Sequence, residues 1–121
     1  MNARTLARGL ATGRIALGLA MFLAPTQASR QWIGSDAQRP GTAMAVRGLG
    51  ARDVVLGVGT LAALRHEDAD PTRWIEGAIV ADGADAVASL LGGRLDQGRL
   101  VGVTVASAGA AAGLWVRQRL A

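Results

Sequence analysis

Three of the four membrane-length stretches in this chain carry ionised side chains near their midpoints, and no other feature limits its fold as much. The stretches cover roughly residues 5–24 (TLARGLATGRIALGLAMFLA), 42–64 (TAMAVRGLGARDVVLGVGTLAAL), 74–91 (WIEGAIVADGADAVASLL) and 100–116. A helix of about 20 residues spans the hydrocarbon core of a bilayer. Arg14 falls in the middle of the first stretch, Arg52 and Asp53 in the middle of the second, and Asp82 and Asp85 in the middle of the third. The fourth has no charge and is the one clean apolar run. Short polar joints at 26–40, 65–73 and 92–99 make neighbouring helices antiparallel, so the five charges reach a similar depth. The predicted fold is therefore all-α, a single four-helix transmembrane bundle with up-down neighbours.

Magnitude decides where those charges point. Insertion scales put a mid-helix Arg or Asp at roughly +2.5 to +3.5 kcal/mol, so five facing lipid would cost about 12 to 17 kcal/mol. Helices this rich in glycine do not recover that from hydrophobicity. The charges are expected to face the bundle interior and pair, or to line a wet cavity. Asp82 and Asp85, three residues apart, share one helix face. Arg14 is expected on one of them and Arg52 on the other. Arg52 and Asp53 are adjacent, about 100° apart around a helix, and are expected to address different neighbours. Two guanidiniums then meet three carboxylates. Either Arg47, a turn and a half from Arg52, joins the cluster, or one of Asp53, Asp82 and Asp85 holds a proton at neutral pH. Such a proton suits proton coupling or acid catalysis, whereas an ion-pair cluster can equally do no more than fix helix register.

Composition agrees with close helix packing. The chain has 17 glycines, one phenylalanine, no tyrosine and no cysteine, and it leans on Ala, Gly, Leu and Val. Small residues let helix backbones approach, the packing mode favoured in lipid. An Ala-rich soluble helical protein is the competing reading. A stripe of Gly98, Gly102, Ala106 and Ala110, with Gly109 and Gly113 one step off, runs along the fourth stretch, and Gly9 and Gly13 repeat the spacing in the first. Intrachain packing is the first use expected of these stripes. A homodimer or a larger membrane complex is the second.

Position markers fit the same scheme. Trp32, Trp74 and Trp115 all fall at segment ends, where an amphipathic ring anchors in the headgroup zone. The segment after Pro25, with Trp32 and Ile33, is expected to lie along the interface. Arg4, Arg8, Arg65, Arg73, Arg117 and Arg119 share one side of the bundle, against Arg30, Arg39, Arg94 and Arg99 on the other. That bias places both termini in the cytoplasm of a bacterial inner (plasma) membrane. The opening residues also have the layout of a cleavable signal peptide, with basic residues, IALGLAMFLA and then TQAS. A retained helix is the reading preferred here, since three further apolar segments follow.

Other chemistry finds little support. All 13 basic residues are arginine, spread along the chain without a basic run or an aromatic platform, which argues against nucleic acid. Without cysteine there are no disulfides, thiolate metal sites or thiol catalysis. His66 stands beside Glu67, Asp68 and Asp70, a pattern that reads as a solvated acidic turn before Pro71 rather than a metal site. GLGARDVVLGVG has no preceding strand, so it is not a dinucleotide loop. No serine or threonine has a triad partner, and no cofactor is implied.

Three strings, GRIALGLAMFLAP, RGLGARDVVLGVGTL and RWIEGAIVADGADAVASL, resemble a domain-of-unknown-function family of small four-helix integral membrane proteins of actinobacterial type. The resemblance runs from about Arg14 to Arg117. It rests on the arginine of the opening GR, the GARD of the second helix and the paired aspartates of the third. It implies a four-helix fold and a membrane address, and supplies no activity. The expected function is a small, non-enzymatic membrane protein whose Arg–Asp cluster organises the bundle or binds a proton or polar ligand. One alternative is a membrane enzyme acting on an apolar lipid or isoprenoid, with Asp53, Asp82 or Asp85 as general acid or base. Another is an accessory subunit that docks through the Gly98 to Gly113 stripe.

Overall fold

The computed structural model describes residues 2–92 and 96–120, and among them the chain is all-α. Five α-helices follow one another: α1 (Ala3–Leu23), α2 (Pro25–Ile33), α3 (Pro40–Ala63), α4 (Thr72–Leu91) and α5 (Gln97–Leu120). A 3₁₀ turn, Gly34–Gln38, connects α2 to α3. The four long helices occupy the four predicted stretches. The first joint departs from expectation, because α2 and the 3₁₀ turn order it.

Local chemistry sets these boundaries. The Asn2 side chain accepts a hydrogen bond from the Arg4 N–H at 2.9 Å and caps α1. Pro25 cannot continue α1, so Ala24 leaves the helical region and Pro25 opens α2 instead. Pro40 opens α3 in the same way. Gly34, at φ 73°, ends α2 in a conformation that a side chain would resist. At the entry to α4, Asp70 accepts from the Thr72 N–H at 2.9 Å. The Thr72 hydroxyl and N–H together hold the Asp70 carboxyl below the usual carboxylate range.

Arginines close the opposite helix ends. Arg4 and Arg8 donate to the Leu64 carbonyl at 3.4 and 3.2 Å, and Arg4 also reaches the His66 carbonyl at 3.0 Å. Arg47 donates to the Phe22 carbonyl at 3.2 Å. Each guanidinium thus meets the negative end of a neighbouring helix.

The helices pack as two pairs, α1 with α3 and α4 with α5, and the contact between α3 and α4 is thinner. Glycine makes the first pair close. A methyl group on Gly18 would sit 2.6 Å from the Gly50 carbonyl oxygen, and one on Gly57 would sit 2.7 Å from the Ala11 carbonyl oxygen. Backbone therefore meets backbone at this crossing. Ala7, Leu64, Ile75 and Val116 form a small core that joins all four long segments near the chain termini. Across α3 and α4, the Trp74 ring lies directly over Gly59.

The long helices expose many large apolar side chains. Leu23 (74% exposed), Met44, Val55, Val80, Val87 and Leu91 (80%) all point away from the bundle. By length and hydropathy, α1 and α5 qualify as membrane spans. In α3 and α4, three or more ionisable residues lower the mean hydropathy. Hydropathy alone therefore supports two spans, one more than the sequence reading found, because α1 joins α5.

The crossing at Gly50 yields a direct test. Gly50→Leu is expected to destabilise the fold by about 1–3 kcal/mol through overpacking, read as a lower midpoint in detergent denaturation followed by circular dichroism. Gly83→Ala, whose added methyl meets nothing within 4 Å, is expected to leave the midpoint unchanged.

Candidate functional site

The mid-helix charges converge in a single alternating chain. Arg14 on α1 donates from Nη2 to Asp82 Oδ2 on α4 at 2.5 Å, and from Nη1 to Asp53 Oδ1 on α3 at 3.1 Å. Arg52 on α3 donates to the same Asp53 Oδ1 from Nε and Nη2 at 3.3 and 3.1 Å. Its Nη1 and Nη2 also grip both oxygens of Asp85 on α4, at 3.0 and 2.7 Å. The order is Asp82, Arg14, Asp53, Arg52, Asp85. Both ends of the chain rest on one face of α4, as the three-residue spacing dictates.

Arg52 and Asp53 do address different neighbours, Asp85 on α4 and Arg14 on α1. The long arginine side chain also folds back over its own helix, so Asp53 becomes the hub where the two guanidiniums meet. One sequence expectation needs correction: Arg47 does not join the cluster. It is exposed and caps α1 at Phe22, because the end of α1 lies within its reach. Sequence spacing gave no sign of the Asp53 hub. The capping role of Arg47 had a signal, since antiparallel packing sets the end of the first stretch opposite the start of the second.

The ion chain lies on the wall of a half-open cleft of about 850 Å³ between the two helix pairs. Leu10, Leu17, Ile79, Val101 and Val105 supply much of the remaining surface, so the cleft is apolar around an ionic patch. The side chains of Asp53 and Asp82 are only 8% and 10% exposed. Asp53 Oδ2 and Asp82 Oδ1 accept no hydrogen bond from the described residues. Neither is a sealed, unpartnered atom, and both residues line the cleft.

Small residues create that opening. A methyl on Gly109 would sit 2.6 Å from Asp82 Oδ2, and one on Gly113 would sit 2.7 Å from Ile79 Cγ1. Gly102 lies beside Ser89, Gly98 packs on the Trp32 backbone, and Gly102, Ala106, Gly109 and Gly113 all line the cleft. The stripe is thus turned inward, toward the chain's own α4 and α2. Gly9 and Gly13 also line the cleft and have no neighbour within 4 Å of an added methyl.

The tryptophans serve three different contacts. Trp32, half-buried on α2, closes one end of the cleft. Trp74 covers Gly59, and Trp115 stacks with the Arg119 guanidinium at 5.0 Å from its ring centroid. Near that end, Arg117 donates to Glu76 Oε1 at 2.7 Å and ties α5 to α4. Arg94, counted in the sequence for orientation, lies outside the described residues.

Comparison with known proteins returned no matching family model, no matching curated protein and no matching solved structure. These comparisons lend no support to the resemblance to small four-helix membrane proteins.

Within the ion chain, loss of Arg14 leaves two buried carboxylates facing each other without their shared cation. Arg14→Met is expected to cost about 3–5 kcal/mol, the scale for breaking a buried pair from one side. Arg52→Met, at a more exposed site, is expected to cost less. Detergent denaturation midpoints measured side by side check the order, and equal midpoints for wild type and Arg14→Met would contradict it.

Proposed function

We propose that the chain is a four-span integral protein of the bacterial inner membrane whose cleft binds a small amphipathic molecule. The observation that carries this reading is the cleft itself, where an apolar wall adjoins the Asp53 and Asp82 carboxylates at mid-helix depth. Its volume lies in the range of small-molecule sites, which combine apolar surface with a few placed polar groups. The protein acts as a binder or carrier rather than a catalyst, and both termini lie in the cytoplasm.

The membrane address draws support from the distribution of polarity. Large apolar side chains face outward on α1, α3, α4 and α5, while the mid-helix charges of α3 and α4 pair inside. Paired and turned inward, these charges no longer weigh against crossing as they would singly. The α2 segment, with Trp32 and Ile33, lies along the interface. Arg14 supports retention of α1, since a chain cleaved after it would leave Asp53 and Asp82 without that partner.

Two measurements test this reading. Membranes washed in alkaline carbonate are expected to keep the chain in the pellet, and release into the supernatant overturns the membrane address. Protein transferred into mild detergent with bacterial lipid is expected to carry one amphiphile per chain by native mass spectrometry. Leu17→Trp with Val105→Trp, which fills the cleft, is expected to abolish that adduct while helicity is kept. Equal adducts in both proteins overturn the site.

A further inference from the structure

The cleft has an odd number of charges. Its charged lining residues are Arg14 and Arg52 against Asp53, Asp82 and Asp85, so one negative charge is in excess. No other charged residue among the described ones lines the cleft; Arg99 at the start of α5 lines a smaller adjoining pocket together with Asp36 and Asp96. The α5 wall has no ionisable residue from Leu100 to Val116. Arg47 is engaged at the end of α1, and Glu76 is paired with Arg117 beyond the end of the cleft. Arg30 on α2 is exposed and does not line the cleft.

Most of the Arg52 fork is already spent: Nε, Nη1 and Nη2 all donate to Asp53 or Asp85. Arg14 spends both terminal nitrogens on Asp53 and Asp82 and keeps Nε without a carboxylate partner. Asp53 Oδ2 and Asp82 Oδ1 accept no hydrogen bond from the described residues and are not sealed from their surroundings. Such oxygens accept hydrogen bonds and attract cations. An anionic headgroup would meet an excess of its own charge.

Resting on the cleft reading above, we infer that the occupant is a single monovalent amphipathic cation. Its apolar body lies against Leu10, Leu17, Ile79, Val101 and Val105, and its charge is neutralised by the Asp53 and Asp82 carboxylates. In the empty cleft one proton takes the place of the cation, because an uncompensated charge at that depth is costly. Cation and proton therefore compete for one site. The groups that face this site are Arg14 from α1, Arg52 and Asp53 from α3, and Asp82 and Asp85 from α4, with α5 contributing none.

Three probes of similar shape test the inference on the purified full chain in a non-ionic detergent: tetraphenylphosphonium, tetraphenylborate and neutral triphenylphosphine oxide. Tetraphenylphosphonium is expected to bind saturably, one per chain, about tenfold or more tighter than the other two. Its affinity is expected to fall on acidification, by up to about tenfold per pH unit where the proton competes, while the neutral probe's affinity stays flat. In Asp82→Asn two guanidiniums meet two carboxylates, and both the cation preference and the pH dependence are expected to vanish while the neutral probe still binds. Should that variant fail to fold, the wild-type pH titration and the cation–anion comparison decide alone. Equal binding of cation and neutral probe at every pH, or a preference for tetraphenylborate, overturns the cation inference and leaves the cleft reading standing. Failure of all three probes to bind overturns both.

Discussion

The alternating chain Asp82–Arg14–Asp53–Arg52–Asp85 holds together what helix packing alone leaves apart. The α1–α3 and α4–α5 pairs are each closely packed, but between them lies a cleft, and the direct α3–α4 contact is thin. Two charge-assisted links, Arg14–Asp82 and Arg52–Asp85, bridge that gap at mid-helix depth, and Asp53 ties the two arginines to each other. Such links are stronger than neutral hydrogen bonds. Each member of the chain is expensive singly and tolerable only with its neighbours. That mutual dependence makes helix register specific, a role attested for buried polar groups elsewhere.

Glycine and charge act on the same geometry. The Gly18–Gly50 crossing brings α1 against α3 backbone to backbone, and four residues earlier on α1 Arg14 projects toward α4. A wider crossing would carry its guanidinium away from either Asp53 or Asp82, since one planar fork must reach both. On the far wall Gly109 does the complementary work, leaving room for the Asp82 carboxylate between α4 and α5. The small residues therefore set distances to the ion chain as well as permitting close packing.

Much of this was legible in the sequence, for a physical reason. Charge depth in a membrane-length segment is a one-dimensional property, so matched midpoints on antiparallel helices were enough to bring Arg14, Arg52, Asp82 and Asp85 together. The three-residue spacing placed both α4 carboxylates on one face. Side-chain reach was not legible. Helical angles separate Arg52 from Asp53, yet an arginine is long and flexible enough to fold across its own helix, and that folding made Asp53 the hub. The fate of Arg47 was hidden similarly, because it depends on where a neighbouring helix ends. The cleft was foreseen only as one option, a cavity lined by the charges, since its size and apolar wall arise from how far apart two helix pairs stand. The first joint was misread because α2 is short and polar on average, although Pro25 and Gly34 do mark its ends.

An ion chain used only to fix register has no need of an odd member. An even number of charges, closed over by packing, would give the same links without residual charge. Here the fifth charge coincides with a wall of glycine and alanine on α5, which keeps the interior open where larger side chains would fill it. Filling that space would gain packing energy in α4–α5 at no cost to the Arg14–Asp53 or Arg52–Asp85 links. Open volume and unbalanced charge each lower stability, and they occur at the same depth on facing walls. Their coincidence is the physical ground for reading the ion chain as part of a binding site rather than as glue alone.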